Sequence, residues 1–248
     1  MTGVQTCALP ILRLEAVTLD AVGTLIAVAE PIGRTYARFA TRHGIALAPD
    51  EAERGFGEAL ADAPPLAFPG VDAARLAERE RAWWSAVVRR AFGPAAERPS
   101  FDRCFAELFA HYGRPEAWRV FPEVPEALRL LRAHGLKLAV VSNFDRRLPP
   151  VLASLGLRPL VDLVVHSTAA AAAKPDPAIF RGTLSALGVA PPAALHAGDG
   201  LVTDVEGARR AGLRAVLVDR GEHRPRLPAG VPRIAALSEL ATLTVTLP

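Results

Sequence analysis

Leu14-Glu15-Ala16-Val17-Thr18-Leu19-Asp20-Ala21-Val22-Gly23-Thr24-Leu25 is a β-prone apolar run that ends in one acid and turns through Gly-Thr. A buried strand followed by such a turn presents one carboxylate, Asp20, at the mouth of a sheet. Working outward, the pattern returns. Leu195-His196-Ala197-Gly198-Asp199-Gly200-Leu201-Val202-Thr203-Asp204 sets two more acids after another strand-like run. Val140-Val141-Ser142-Asn143 ends a third, and Lys174 lies between them. The strands expected over the whole chain are Leu14–Leu19, Leu136–Ser142, Val161–His166, Ala194–Ala197 and Arg214–Val218.

Helical patterns separate the later strands: Glu123–His134, Arg147–Leu155, Pro177–Leu187 and Val202–Ala211. Strand and helix in alternation call for right-handed crossovers. The expected class is α/β, a Rossmann-like parallel sheet with helices on both faces. The unbroken apolar run Leu138-Ala139-Val140-Val141 fits a strand buried on both sides. Residues 30–116 break the rhythm with four helical patterns, Ile32–His43, Asp50–Ala61, Asp72–Phe92 and Ser100–Tyr112. Such a block is too long for a crossover. It reads as an all-helical cap inserted over the carboxyl edge of the sheet, leaving 12–29 and 117–248 as the core. Trp83 and Trp84 read as packing residues of that cap.

The 248 residues, half of them hydrophobic, can build a sizeable core. No run of 18 uncharged apolar residues occurs, so no membrane partner is expected. A net charge of +3, with Arg scattered and no basic block, gives no reason to expect a nucleic-acid partner. Two cysteines, Cys7 and Cys104, make no disulfide framework, and a cytoplasmic location is expected. Residues 1–11 resemble a translated sequencing adapter and are read as non-native, with the native start either missing or near Leu12. Lys137 and Lys174 are the only lysines against a large Arg excess. A lysine retained in such a chain suits a site needing a compact point charge, with chance retention as the bland alternative.

In open parallel sheets, ligands bind beyond the carboxyl ends of the strands. Asp20, Ser142, Lys174 and Asp199 all fall there. Asp20 can serve as a nucleophile toward phosphorus, a metal ligand, or a turn acid. Asp20, Asp199 and Asp204 together form a cluster that repels itself without a cation, and hard oxygen ligands suit Mg²⁺. Capping the helix through Val205–Ala211 is the lesser alternative for Asp204. Thr24, Ser142 and Asn143 offer hydrogen bonds to a phosphate, although Ser-Asn is also ordinary turn chemistry. Lys174 would neutralise charge on the nucleophile and the transferring group. His196 reads as a satisfied core histidine.

These ordered motifs resemble the haloacid dehalogenase-like hydrolase superfamily, over nearly all of residues 12–248. Three stretches, Glu30–Ala37, Val141–Leu148 and Lys174–Phe180, are similar to its domain-containing protein 3 group. The resemblance implies a mobile helical cap and attack by Asp20 on a small phosphorylated substrate. It also implies Mg²⁺ held by Asp20, Asp199 and the main-chain carbonyl of Val22. Phosphatases of the family place a second Asp two residues after the nucleophile as general acid and base. Here Val22 stands in that place, a loss worth ~10²–10⁴ in rate. Acyl and aryl phosphates suffer least from it. Asp145 is a candidate substitute acid. The alternatives are a 2-haloacid dehalogenase, which needs no leaving-group acid, and a non-catalytic binding protein.

Overall fold

Ala16, Val17 and Leu19 are all completely buried, because the strand they form runs through the middle of the sheet. The computed structural model describes residues 13–221 and 225–246, so the expectation for residues 1–11 falls outside it. In chain order the first elements are β1 (Ala16–Leu19) and β2 (Ile26–Val28). Four helices follow: α1 (Ile32–Arg42), α2 (Pro49–Ala61), α3 (Ala73–Phe92) and α4 (Phe101–His111). Then come β3 (Trp118–Val120), α5 (Val124–Ala133), β4 (Lys137–Ser142), α6 (Leu148–Ser154), β5 (Leu163–His166) and α7 (Ser167–Ala170). The chain continues through α8 (Pro177–Leu187), β6 (Ala194–Gly198), α9 (Gly207–Ala211), β7 (Arg214–Val218), β8 (Arg233–Ile234) and α10 (Ser238–Thr246).

Six strands form one sheet in the order β5-β4-β1-β6-β7-β8, every pair parallel. The α/β parallel sheet read from the sequence is therefore the observed fold. Residue alternation along the strands assigns side chains to its two faces. Val17, Leu19, Leu138, Val140, Leu195 and Ala197 point to one core, shared with α5, α6 and α10. Ala16, Ala139, Val141, Ala194, Ala215 and Leu217 point to the other, closed by α8 and α9. Leu138 and Leu128 are fully buried, and truncating such a leucine to Ala costs about 2–5 kcal/mol.

The register brings the strand ends level. Leu19 pairs with Val140 on one side and with Ala197 on the other. Asp20, Ser142 and Asp199 therefore emerge at one edge. Helices α1–α4 carry a separate buried cluster built on Tyr36, Phe39, Phe92, Phe101 and Phe105. They leave the sheet through β2 and return through β3, an antiparallel pair too short to show in the sequence pattern. The Val202–Ala211 helix expected from sequence is a π-helical turn, Leu201–Glu206, running into α9. Single π turns of this kind are frequent at functional sites.

Candidate active site

Asp20 leaves β1 at the sheet edge and is 6 % exposed. Gly23 then turns the chain with φ +90°, and a Cβ at that position would fall onto the Asp199 carboxylate. Glycine is thus required twice, for the turn and for the close approach. Close approach alone requires glycine at Gly198, where a Cβ would fall onto Asp204, and at Gly200, where it would fall onto Thr203 and Asp204. Lys174 arrives from the loop between α7 and α8. Asp176 accepts a bond from the Ala178 N–H at 2.8 Å, Pro177 opens α8, and both fix where that loop ends. The Lys174-Pro175 peptide is cis.

The centre of the site is the Lys174 ammonium. Its Nζ lies 2.5 Å from Asp20 Oδ1 and 2.5 Å from Asp204 Oδ1. All three side chains are almost wholly excluded from water. Asp204 is saturated. Oδ1 also meets His196 Nε2 at 2.9 Å, while Oδ2 accepts from the Gly200 N–H and the Thr203 hydroxyl. Sequence spacing predicts Asp204 as a metal ligand; its oxygens are instead engaged in anchoring Lys174. His196 bonds through both ring nitrogens, the second reaching Thr18 Oγ1 at 2.8 Å, and so is the satisfied core histidine expected.

Electrostatics follow from this geometry. Burial, then the Asp204 charge, raises the Asp20 carboxyl above its ordinary value against the pull of Lys174. Burial alone would lower Lys174, but Asp20 and Asp204 outweigh it and hold the ammonium charged. Burial likewise works to raise Asp204, and Lys174 and His196 hold it well below the usual carboxylate range. Asp199 stands at the solvent edge of the cluster. Desolvation of its carboxyl, then the charges of Asp20 and Asp204, push it up to about 7.

Burial is the larger cause of that rise, and the Asp20 and Asp204 charges add to it; like charges gathered at one desolvated edge are relieved by a cation. Among the described residues no three His, Cys, Asp or Glu side chains are gathered closely enough to hold a metal by themselves. Two carboxylates, Asp20 and Asp199, remain beside the Val22 main chain. Mg²⁺ commonly rests on one or two carboxylates with water completing its shell, so the donor set fits it.

The remaining predicted residues fall as follows. Ser142 is buried at the end of β4. The Asn143 carboxamide bonds the Lys174 main chain in both directions, at 2.8 Å and 2.7 Å, and holds the lysine loop. Thr24 is fully buried, and its hydroxyl has no partner among the described residues. Asp145 is not free to act as an acid. Its oxygens accept from Arg147 at 2.6–3.2 Å and from Trp84 Nε1 at 2.6 Å.

A family model described as haloacid dehalogenase-like hydrolase matches residues 14–212. The chain belongs to that family. It is 35 % identical over 209 residues to human haloacid dehalogenase-like hydrolase domain-containing protein 3, covering 84 % of this chain and 82 % of that one. It is 40 % identical over 157 residues to a phosphoserine phosphatase from Thermus thermophilus, 62 % of either chain. Among solved structures, a phosphatase of the family from Thermococcus onnurineus matches with a TM-score of 0.67 and 28 % identity, over 93 % of this chain and 97 % of that one.

Sequence reading of this haloacid dehalogenase-like hydrolase missed one group of residues. Glu80, on α3, is fully buried and takes a 2.5 Å bond from the Thr168 hydroxyl and a 3.2 Å bond from the Arg146 N–H. Ser167 donates to the Leu66 carbonyl at 2.6 Å. With Trp84 and Asp145, these contacts tie helix α3 and the chain before it to the sheet edge. A Glu and a Trp at helical spacing on α3 were the only signal, and neither names its partner. Among the described residues no helix is long and apolar enough to cross a membrane.

Proposed function

We propose that the chain is a Mg²⁺-dependent phosphomonoester hydrolase working through an aspartyl-phosphate on Asp20. The single observation that carries this is the buried ammonium of Lys174 shared at 2.5 Å between Asp20 and Asp204. Lys174 fixes the aim of the Asp20 carboxylate, pulls against the burial that raises it, and sits where charge develops on the transferring group. Asp204 and His196 hold Lys174 in place from behind. Bound to Asp20, Asp199 and the Val22 carbonyl, Mg²⁺ would supply charge neutralisation for an incoming dianion.

In the first step an Asp20 carboxylate oxygen bonds to phosphorus, and the bond from phosphorus to the ester oxygen breaks with its electron pair leaving on that oxygen. Water then attacks the same phosphorus, the bond from phosphorus to the Asp20 oxygen breaks with its electron pair returning to the carboxylate, and the water protons leave with orthophosphate or pass to solvent. Val22 gives neither step a proton carrier. Helices α1–α4, residues 30–116, act in this reading as the cap that excludes water, with cytoplasmic small-molecule phosphates as substrates. Phosphate release from a panel of esters and halide release from 2-haloacids, each with and without Mg²⁺, test the assignment. Phosphate release that needs Mg²⁺ and disappears in Asp20→Asn upholds it. Halide release indifferent to EDTA overturns it.

A further inference from the structure

Between helices α1–α4 and the sheet edge lies a cavity of about 590 Å³, ordinary for a small-molecule site. Phe56, Trp83, Trp84, Phe105, Phe109 and Phe144 dominate its walls. The chain has three tryptophans, and the third, Trp118, faces the same space. Val22 lines it where it meets Asn143, Lys174 and Thr203, so the cavity opens on the reacting centre. Among the described residues that line it there is no Asp, Glu or His.

Most polar groups on its walls are engaged within the protein. Trp83 Nε1 donates to the Pro64 carbonyl at 2.9 Å, and Trp84 Nε1 donates to Asp145. The Arg147 guanidinium is held by Asp145 and by the Phe109 carbonyl at 2.8 Å. The Asn143 carboxamide is held by Lys174. The Tyr112 hydroxyl is buried without a partner among the described residues.

We infer that this cavity receives the leaving group and that the substrate is an aryl phosphate, the monoester of a phenol carrying one or two rings. The inference rests on the aspartyl-phosphate reading above and deepens it. Two separate observations converge on it. Aromatic walls favour a flat apolar group, through burial and edge-to-face contacts. A glycerol, sugar or amino-acid leaving group would lose its hydration there without finding partners. Secondly, Val22 and a wall without carboxyl or imidazole leave the departing oxygen unprotonated. The leaving group must depart as its own anion. A phenol, with a pKa of about 10 as in tyrosine, does so far more readily than an alkanol. The residue that removes the acid thus also shapes the pocket for a substrate that does not need one.

Steady-state kinetics on naphthyl, phenyl, benzyl and glycerol phosphates separate the two demands. Naphthyl phosphate is expected to exceed glycerol phosphate by at least ~100-fold in kcat/KM. Benzyl phosphate, apolar but a poor leaving group, is expected to keep the low KM and lose kcat. A second arm needs no turnover. Naphthylphosphonate is titrated into the Asp20→Asn variant and read by tryptophan quenching, with methylphosphonate as the comparison. Binding at least ~10-fold tighter for the naphthyl compound, weakened by Phe56→Ala, is expected. If no ester is hydrolysed but that preference holds, the cavity's occupant is upheld and the hydrolase reading falls. If glycerol phosphate is turned over as well as naphthyl phosphate, or the two phosphonates bind alike, the inference is overturned.

Discussion

His196 Nε2 lies 2.9 Å from Asp204 Oδ1, the same oxygen that the Lys174 ammonium meets at 2.5 Å. A strand residue on β6 thereby reaches the Asp20 carboxylate through two intermediaries, Asp204 and Lys174. Burial lowers the imidazole pKa, so this link is a hydrogen bond between a neutral ring and a carboxylate. Replacing His196 by Ala would leave Asp204 and Thr18 short of partners in a dry interior. We expect a loss of about 3 kcal/mol, and so a fall in Tm of roughly 6–12 °C for a chain this size. Thermal unfolding of His196→Ala checks this; an unchanged Tm would show that the ring bears no such role.

Lys174 separates two buried carboxylates. Lys174→Met removes the positive charge between Asp20 and Asp204, leaving two carboxyl groups facing each other. Breaking one side of a buried ion pair costs about 3–5 kcal/mol, and loss of transition-state charge stabilisation costs ~10²–10³ in kcat. Urea unfolding and turnover of an aryl phosphate should both register the change. A stable, fully active Lys174→Met protein would remove the lysine from the mechanism.

Gly23 predicts a sharper geometric effect. Its φ of +90° and the Asp199 carboxylate against its Cα leave no room for a methyl group. Gly23→Ala is expected to cost ~1–2 kcal/mol in backbone strain and to displace Asp199. Turnover should fall at least ~10-fold, with the midpoint for Mg²⁺ activation moving to higher concentration. Activity at the wild-type level across a Mg²⁺ titration would contradict the placement of Asp199.

Acid stability should report on Asp162, which joins β4 to β5. Burial works to raise its carboxyl, but the Leu138 N–H at 2.7 Å and Arg132 at 2.9 Å outweigh burial and hold it below its ordinary value. A depressed folded pKa gives stability that is present above the unfolded value, near pH 4. That stability is lost as pH falls through the lower folded value. Because over a third of the side chain meets water, the contribution is only about 0.5 kcal/mol. Asp162→Asn should therefore be slightly less stable than wild type at pH 7. The gap should close as acid protonates the wild-type carboxyl. Equal stability at pH 7 would contradict this.

The main strands of this molecule were legible because apolar runs such as Leu138–Val141 are buried on both faces and need no context to be recognised. Asp20, Lys174 and Asp199 could be placed together because each follows an element that ends at the same sheet edge. The strands β2, β3 and β8 escaped, being only two or three residues long. What the sequence could not supply was the partner of each polar group. Asn143 suits a phosphate and Asp204 suits a metal. The structure ties both to Lys174, 31 and 30 residues away along the chain. Trp84 looks like a packing residue and is one, yet its Nε1 also holds Asp145 and its ring faces the cavity. Hydrogen-bond partners across such separations are set by tertiary packing, which no local pattern encodes.

Val22→Asp places a carboxyl two positions past Asp20. If the missing proton carrier is what limits alkyl esters, kcat for glycerol phosphate should rise by ~10² or more. Turnover of phenyl phosphate, already a good leaving group, should change far less. An equal gain for both would point to a cause other than leaving-group protonation.

The covalent role proposed for Asp20 can be measured directly. Turnover of naphthyl phosphate with Mg²⁺ is stopped with acid, and the peptide carrying Asp20 is weighed. The expected result is one phosphoryl group on Asp20, removed by hydroxylamine and absent in Asp20→Asn. Steady phosphate release with no modified peptide, or undiminished release by Asp20→Asn, would contradict it.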